Sequence, residues 1–191
     1  MVDTVFFDAP ERTTFSDEAY AVIGRALSIG THYEANLRVL AVMLQMRQEQ
    51  STVNETDKLE ETIERLWRQN LNNNIQKLMW LARKSLSNRA ANVEEEKVGD
   101  DFAKLISERL HKARKARNTI AHESTIGIET RLEDDEYRRD LIEMIEEQVR
   151  CIADADFFIA GVIEYLNGVE LAPSLEEYIE RISDWVCEVE D

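Results

Sequence analysis

Helix-breaking residues are scarce, with two prolines and six glycines in 191 residues. Charged residues make up 32%, and Leu, Ile, Ala, Glu and Arg are prominent, so long helices are predicted. No segment alternates cleanly enough for a strand, and no internal repeat is present. No apolar run has the length to cross a bilayer. The opening MVDTVFFDAPERT lacks a basic region followed by a long apolar core. No export signal is read there, and a cytoplasmic location is expected. Cysteine is limited to Cys151 and Cys187 with no CxxC pair, so both are expected to be reduced and structural.

Most catalytic patterns are missing too. There is no Gly-rich phosphate loop and no GxSxG, and His122-Glu123 is not followed by the second histidine of a zincin helix. His32, His111 and His122 are too dispersed for a metal site, so neither a metal nor another cofactor is expected. His32 and His111 lie on polar helix faces and read as surface residues.

The chain is acidic, with a net charge of −16, which argues against broad, non-specific nucleic-acid binding. The distribution is uneven. Residues 1–100 carry 12 basic and 16 acidic side chains, residues 101–122 carry 6 and 2, and residues 123–191 carry 5 and 21. Residues 101–122 form a basic island on an acidic body. Such an island either balances acidic neighbours or faces a phosphate.

The length fits one domain over residues 1–191, with enough chain for a core. Residues 1–15 show no period and read as an irregular arm, in which Val5, Phe6, Phe7 and Phe15 are available to pack. Ser16 is placed as the cap of a first helix, Asp17 to Gln48. Its apolar face is Ala19, Val22, Ile23, Ala26, Leu27, Gly30, Tyr33, Leu37, Leu40, Ala41 and Leu44. Gly30 would allow close approach on that face. Glu34 falls inside the arc and requires either water or a cation, with Arg109 or Arg117 as the candidates.

A second helix is expected over Asp57 to Ser87, capped by Asn54 or Thr56. Its asparagine-rich middle, Asn70 to Asn74, favours a kink. Residues 88–100 read as an acidic linker. A third helix runs to Glu123, residues 123–134 read as a loop, and a fourth helix covers Asp135 to Asn167, with Gly168 as its stop. Ser174 to Glu177 is a capping box opening a last helix that reaches Val189. The expected fold is therefore all-α, an antiparallel helical bundle of about five helices.

The chemistry concentrates in the third helix, DFAKLISERLHKARKARNTIAHE, Asp101 to Glu123. Phe102, Leu105, Ile106, Leu110, Ala113, Ala116 and Ile120 form one face, and Arg109 and Arg117 fall inside it. Guanidinium groups on an inward stripe need acidic partners, a cleft or a second subunit. At 100° per residue, Arg117 and His122 point about 140° apart. They converge only if the helix ends or bends near Ala121, or if two chains meet.

Arg117-Asn118-Thr119-Ile120-Ala121-His122 resembles the Arg-x(4–6)-His signature of HEPN domains, in the form Arg-Asn-x-x-x-His. These are small all-helical proteins, many of them metal-independent ribonucleases. The resemblance implies a homodimer in which the motifs of two subunits face each other across a cleft. It also implies RNA as the substrate and a place in a toxin–antitoxin or phage-defence system. His122 would be the base that takes the 2′-hydroxyl proton, Arg117 the cation on the phosphate, and Asn118 a further donor. Arg109, Arg114 and Lys115 would bind substrate, and Glu34 would hold an arginine. In many toxin members a tyrosine two residues beyond the histidine is modified by a partner nucleotidyltransferase. Here that position is Ser124, so any antitoxin or regulatory partner would be of another kind. The competing reading is a non-catalytic helical dimer that uses the fold for binding or assembly, with Arg117 and His122 capping a helix end and pairing with acids.

Overall fold

The computed structural model describes residues 14–49, 61, 64–66, 68–87, 93–123, 131, 134–169 and 173–188. Helix α1 spans Thr14–Glu49, α2 Leu71–Ser87, α3 Val93–Glu123, α4 Asp135–Asn167 and α5 Leu175–Cys187. Among the described residues there is no strand, and the protein is an all-α bundle as expected. No described helix is long and apolar enough to cross a membrane.

The helix ends follow local chemistry. The Asp134 side chain caps α4 by accepting from the backbone N–H of Glu136 and Tyr137. Gly168 ends α4 with φ 74°, a left-handed conformation that glycine adopts without a Cβ clash. The capping box at α5 forms as expected: Ser174 Oγ accepts from Glu177 N at 3.2 Å, and Glu177 Oε2 accepts from Ser174 N at 2.8 Å. The Ser174 backbone N–H, and after it the Ser174 side chain, hold the Glu177 carboxyl below its ordinary pKa.

Three boundaries differ from expectation. Helix α1 begins at Thr14, so Phe15 and Ser16 lie inside it, the latter not at its cap, and residues 1–13 of the expected arm lie outside the described residues. Helix α3 begins at Val93, so residues 93–100 of the expected acidic linker are helical. That stretch carries three glutamates and a lysine, which are good helix formers. The expected second helix is broken rather than kinked. Residues 64–66 and 68 are helical, Gln69 and Asn70 are not, and α2 starts afresh at Leu71. Asn70 supplies the new cap, its Oδ1 accepting from Asn73 N at 2.9 Å. Fully buried Asn74 donates to the Leu66 carbonyl across the break. The proposed caps Asn54 and Thr56, residues Val5, Phe6 and Phe7, most of the expected loop at 123–134 and Val189 lie outside the described residues.

The apolar stripes meet in one core. Val22, Ala26, Tyr33, Leu37 and Ala41 of α1 bury with Ile75 of α2, Leu110 and Ile120 of α3, and Ile145, Val149, Ile152 and Ile159 of α4. Helix α1 packs against all four others, and α4 packs against α1, α3 and α5. Tyr33 and Gly30 of α1 meet Leu110 and Arg117 of α3 in reverse order, so this pair is antiparallel. Asn36 and Arg47 meet Asp156 and Leu166 in the same order, so α1 and α4 run parallel. Leu105, expected on the inward face, is exposed, as is Trp185 on α5.

Polar side chains from α1 tie down the other helices. Tyr33 is fully buried and donates to the Leu110 carbonyl at 3.0 Å. Arg25 donates to the carbonyls of Val186 and Glu188 at the end of α5. Arg47 donates to the Leu166 carbonyl at the end of α4. A guanidinium at a helix C-terminus meets carbonyls left free by the ladder and the negative end of the dipole.

Candidate functional site

Helix α3 carries Arg117 on its inward stripe. Its side chain fits there because α1 has glycine at the crossing. A Cβ on Gly30 would lie 2.9 Å from Arg117 Cγ. The sequence marked Gly30 as a point of close approach, and the group that approaches is the arginine stem. From there Arg117 Nε reaches Glu34 Oε1 at 3.0 Å. Arg38, one turn further along α1, reaches Glu34 Oε2 at 3.3 Å. Each carboxylate oxygen thus takes one guanidinium, and the Glu34 side chain is only 14% exposed. The acid inside the apolar arc is satisfied by cations, as its burial requires.

These residues line an open cleft of about 450 Å³. Its walls are Glu34 and Arg38 from α1, Arg114, Arg117 and Asn118 from α3, and Asn70, Leu71 and Asn72 where α2 begins. Three guanidinium groups face one carboxylate, so the cleft is cationic on a body of net charge −16. Arg114 makes no ion pair among the described residues, and its Nε is buried without a hydrogen-bond partner. The first turn of α2 adds backbone N–H groups and the positive end of a helix dipole.

Of the residues selected from sequence, Arg114, Arg117, Asn118 and Glu34 come together in this cleft. Arg109 does not. It sits two turns earlier and pairs with Asp154 Oδ1 of α4 at 2.9 Å, so its charge is met inside the bundle. Lys115 is exposed and is not part of the cleft wall, since one residue on from Arg114 turns it away by 100°. His122 is exposed and makes no hydrogen bond or ion pair among the described residues. The helix runs unbroken through both Arg117 and His122. Helix α3 continues to Glu123, so within one chain Arg117 and His122 point apart.

Two features escaped the sequence reading. Arg38 lies outside the apolar arc, and its only mark in the sequence is the i, i+4 spacing of a helical ion pair with Glu34. The second is a buried acid. Asp156 of α4 is 1% exposed and accepts from Asn36 Nδ2 at 2.9 Å and from the Tyr178 hydroxyl at 2.6 Å. His32 Nε2 stands 3.8 Å from the same carboxylate, so this histidine borders a polar network rather than only solvent. The available signal was the two acids, Asp154 and Asp156, within the apolar run Ile152 to Ile159.

Cys151 and Cys187 are free and half-buried, and burial raises both thiol pKa values, which disfavours the reactive thiolate. Among the described residues, no three His, Cys, Asp or Glu side chains are grouped as metal ligands would be. Comparison of the chain with models of known families, with curated proteins and with solved structures finds no match.

Proposed function

We propose that the protein is a metal-independent endoribonuclease of HEPN type, acting as a homodimer. The observation that supports this reading best is the cationic cleft built around Arg117. Arg38, Arg114 and Asn118 stand beside it, and the paired Glu34 holds it in place. Arginine forks and amide donors suit a phosphodiester, whose charge grows as the 2′-oxygen attacks. In the reaction a base removes the 2′-hydroxyl proton, and the new oxygen–phosphorus bond displaces the 5′-oxygen. The products are a 2′,3′-cyclic phosphate and a 5′-hydroxyl end. An exposed imidazole suits the base near neutral pH, and His122 is exposed. Because His122 diverges from Arg117 on one continuous helix, the base for each cleft is assigned to a second copy of the chain. A toxin or phage-defence role, with an antitoxin or other regulator, follows from the resemblance.

The test is RNA cleavage in EDTA, with product ends identified. Wild type is expected to leave 2′,3′-cyclic phosphate or its 3′-phosphate hydrolysis product. His122→Ala and Arg117→Ala are each expected to lose about 100-fold or more. Mixing the two inactive variants, after dissociation and reassociation, is expected to restore about a quarter of wild-type activity. Half the dimers would be mixed, and each would hold one intact pair. A mixture that stays inactive beside an active wild type would remove the shared-site dimer.

One observation favours the second reading, a non-catalytic helical dimer for binding or assembly. Arg117 already has its charge met by Glu34 inside one chain. A folded wild type that cleaves no RNA would establish that reading instead.

A further inference from the structure

Helix α2 is unlike the rest of the chain. Its sequence, LNNNIQKLMWLARKSLS, contains Lys77, Arg83 and Lys84 and no acid. It packs against α3, whose residues 101–122 form the basic island. Its inner face is filled by Asn74, Ile75, Leu78, Met79 and Leu81. On the outer face stands Trp80, 52% exposed. The Lys77 and Lys84 ammonium groups lie 4.6 Å and 4.9 Å from the centre of its ring. The indole thus offers a flat ring at the surface between two cations. Flanking cations narrow the partner to one that is both flat and anionic.

The position of this group relative to the cleft follows from helix geometry. Asn72, which lines the cleft, Gln76 and Trp80 are spaced i, i+4, i+8. They drift only about 80° around the helix and span about 12 Å along it. Asn72, Gln76 and Trp80 therefore form one exposed line that leaves the cleft at the start of α2. We propose that this line is a docking track for single-stranded RNA. A base outside the cleft stacks on Trp80, Lys77 and Lys84 take the adjacent phosphates, and Asn72 and Gln76 supply amides to sugar or base edges. Stacking on an indole tolerates any base but requires an unpaired one, and a lysine displaced from the ring is placed to meet a phosphate. The proposal takes from the ribonuclease reading only that the ligand is RNA.

The test is fluorescence anisotropy with a labelled oligonucleotide of about 12 unpaired residues, 2′-O-methylated throughout so that it cannot be cleaved. Trp80→Ala is expected to weaken binding about tenfold, while Trp80→Phe retains most of it. Lys77→Gln with Lys84→Gln is expected to lower the salt slope by about two, one per phosphate contact. Circular dichroism melts of each variant should match wild type, since all three side chains lie outside the core. The same sequence as a blunt duplex should bind more weakly than the single strand. Trp80-dependent binding without cleavage by the wild type would keep the track and remove the ribonuclease. Cleavage and binding indifferent to Trp80 would remove the track and keep the ribonuclease. A duplex that binds as well as the single strand would overturn the track. So would a Trp80→Ala protein that loses self-association or a protein partner while keeping RNA affinity. No RNA binding by the wild type would overturn both.

Discussion

The geometry of Arg117 rests on a single missing methyl group. Gly30→Ala would gain about 0.5–1 kcal/mol of helix propensity. It would also drive a Cβ to within 2.9 Å of Arg117 Cγ, and crowding of that kind costs about 1–3 kcal/mol. The crowding outweighs the propensity. The variant should lose about 1 kcal/mol in urea unfolding and, on the proposed ribonuclease reading, about tenfold in RNA cleavage, because the guanidinium is displaced from Glu34. A more stable variant with unchanged cleavage would show that Arg117 finds its place without Gly30. At this scale the sequence was informative about Glu34 and Gly30, both anomalous on an apolar stripe. It was silent about Arg38, whose position on the polar side of α1 reads like that of any solvated arginine. Only a neighbouring helix makes that position part of a cleft.

Helices depend on polar groups as well as on their stripes. Helix α5 is short, and the Tyr178 hydroxyl binds it to the buried Asp156 of α4. Asn36 of α1 holds the other oxygen of that carboxylate. Tyr178→Phe removes one donor from a buried acid, which should cost about 2 kcal/mol. Hydrogen exchange should quicken in α5 first while α1 and α3 keep their protection, which distinguishes a local tether from a general core contribution. The break before α2 is the other lesson at this scale. Asparagine side chains were expected to compete with the helix ladder, and they do. Asn70 turns that competition into a cap, and Asn74 bonds back across the gap, so the chain restarts a helix rather than bending one. Composition marked the weak point, but whether it became a kink or a restart depended on what Asn74 found when buried.

Alkali should unfold the whole molecule earlier than its helices alone would imply. Burial raises the pKa of Tyr33 well above its ordinary value, and burial with the Asp156 hydrogen bond does the same for Tyr178. Each stays protonated in the native state while the unfolded chain ionises from about pH 10. The native state then binds more protons, so the stability these groups contribute is fully present below pH 10 and falls as pH rises beyond it. Raised thiol pKa values at Cys151 and Cys187 act in the same direction and begin slightly lower. Urea midpoints measured from pH 8 to 11 should decline across the upper half of that range. In Tyr178→Phe the decline should be shallower, because one of the linked groups is gone.

The sequence by itself determined the helical class, most of the apolar faces of the helices, the stop at Gly168 and the capping box at Ser174, and the basic character of the third helix. Each of these follows from residue type and spacing along one chain, as does the divergence of Arg117 and His122, which the regular turn of a helix dictates. The tertiary structure decided which charges meet. Glu34 had two candidate arginines. Packing gave it Arg117, because Gly30 opens the crossing of α1 and α3, and gave Arg109 to Asp154 on α4. Ion pairs between helices depend on where separate elements come to rest against one another. That placement comes from burying whole faces together, and no single stretch of sequence carries it.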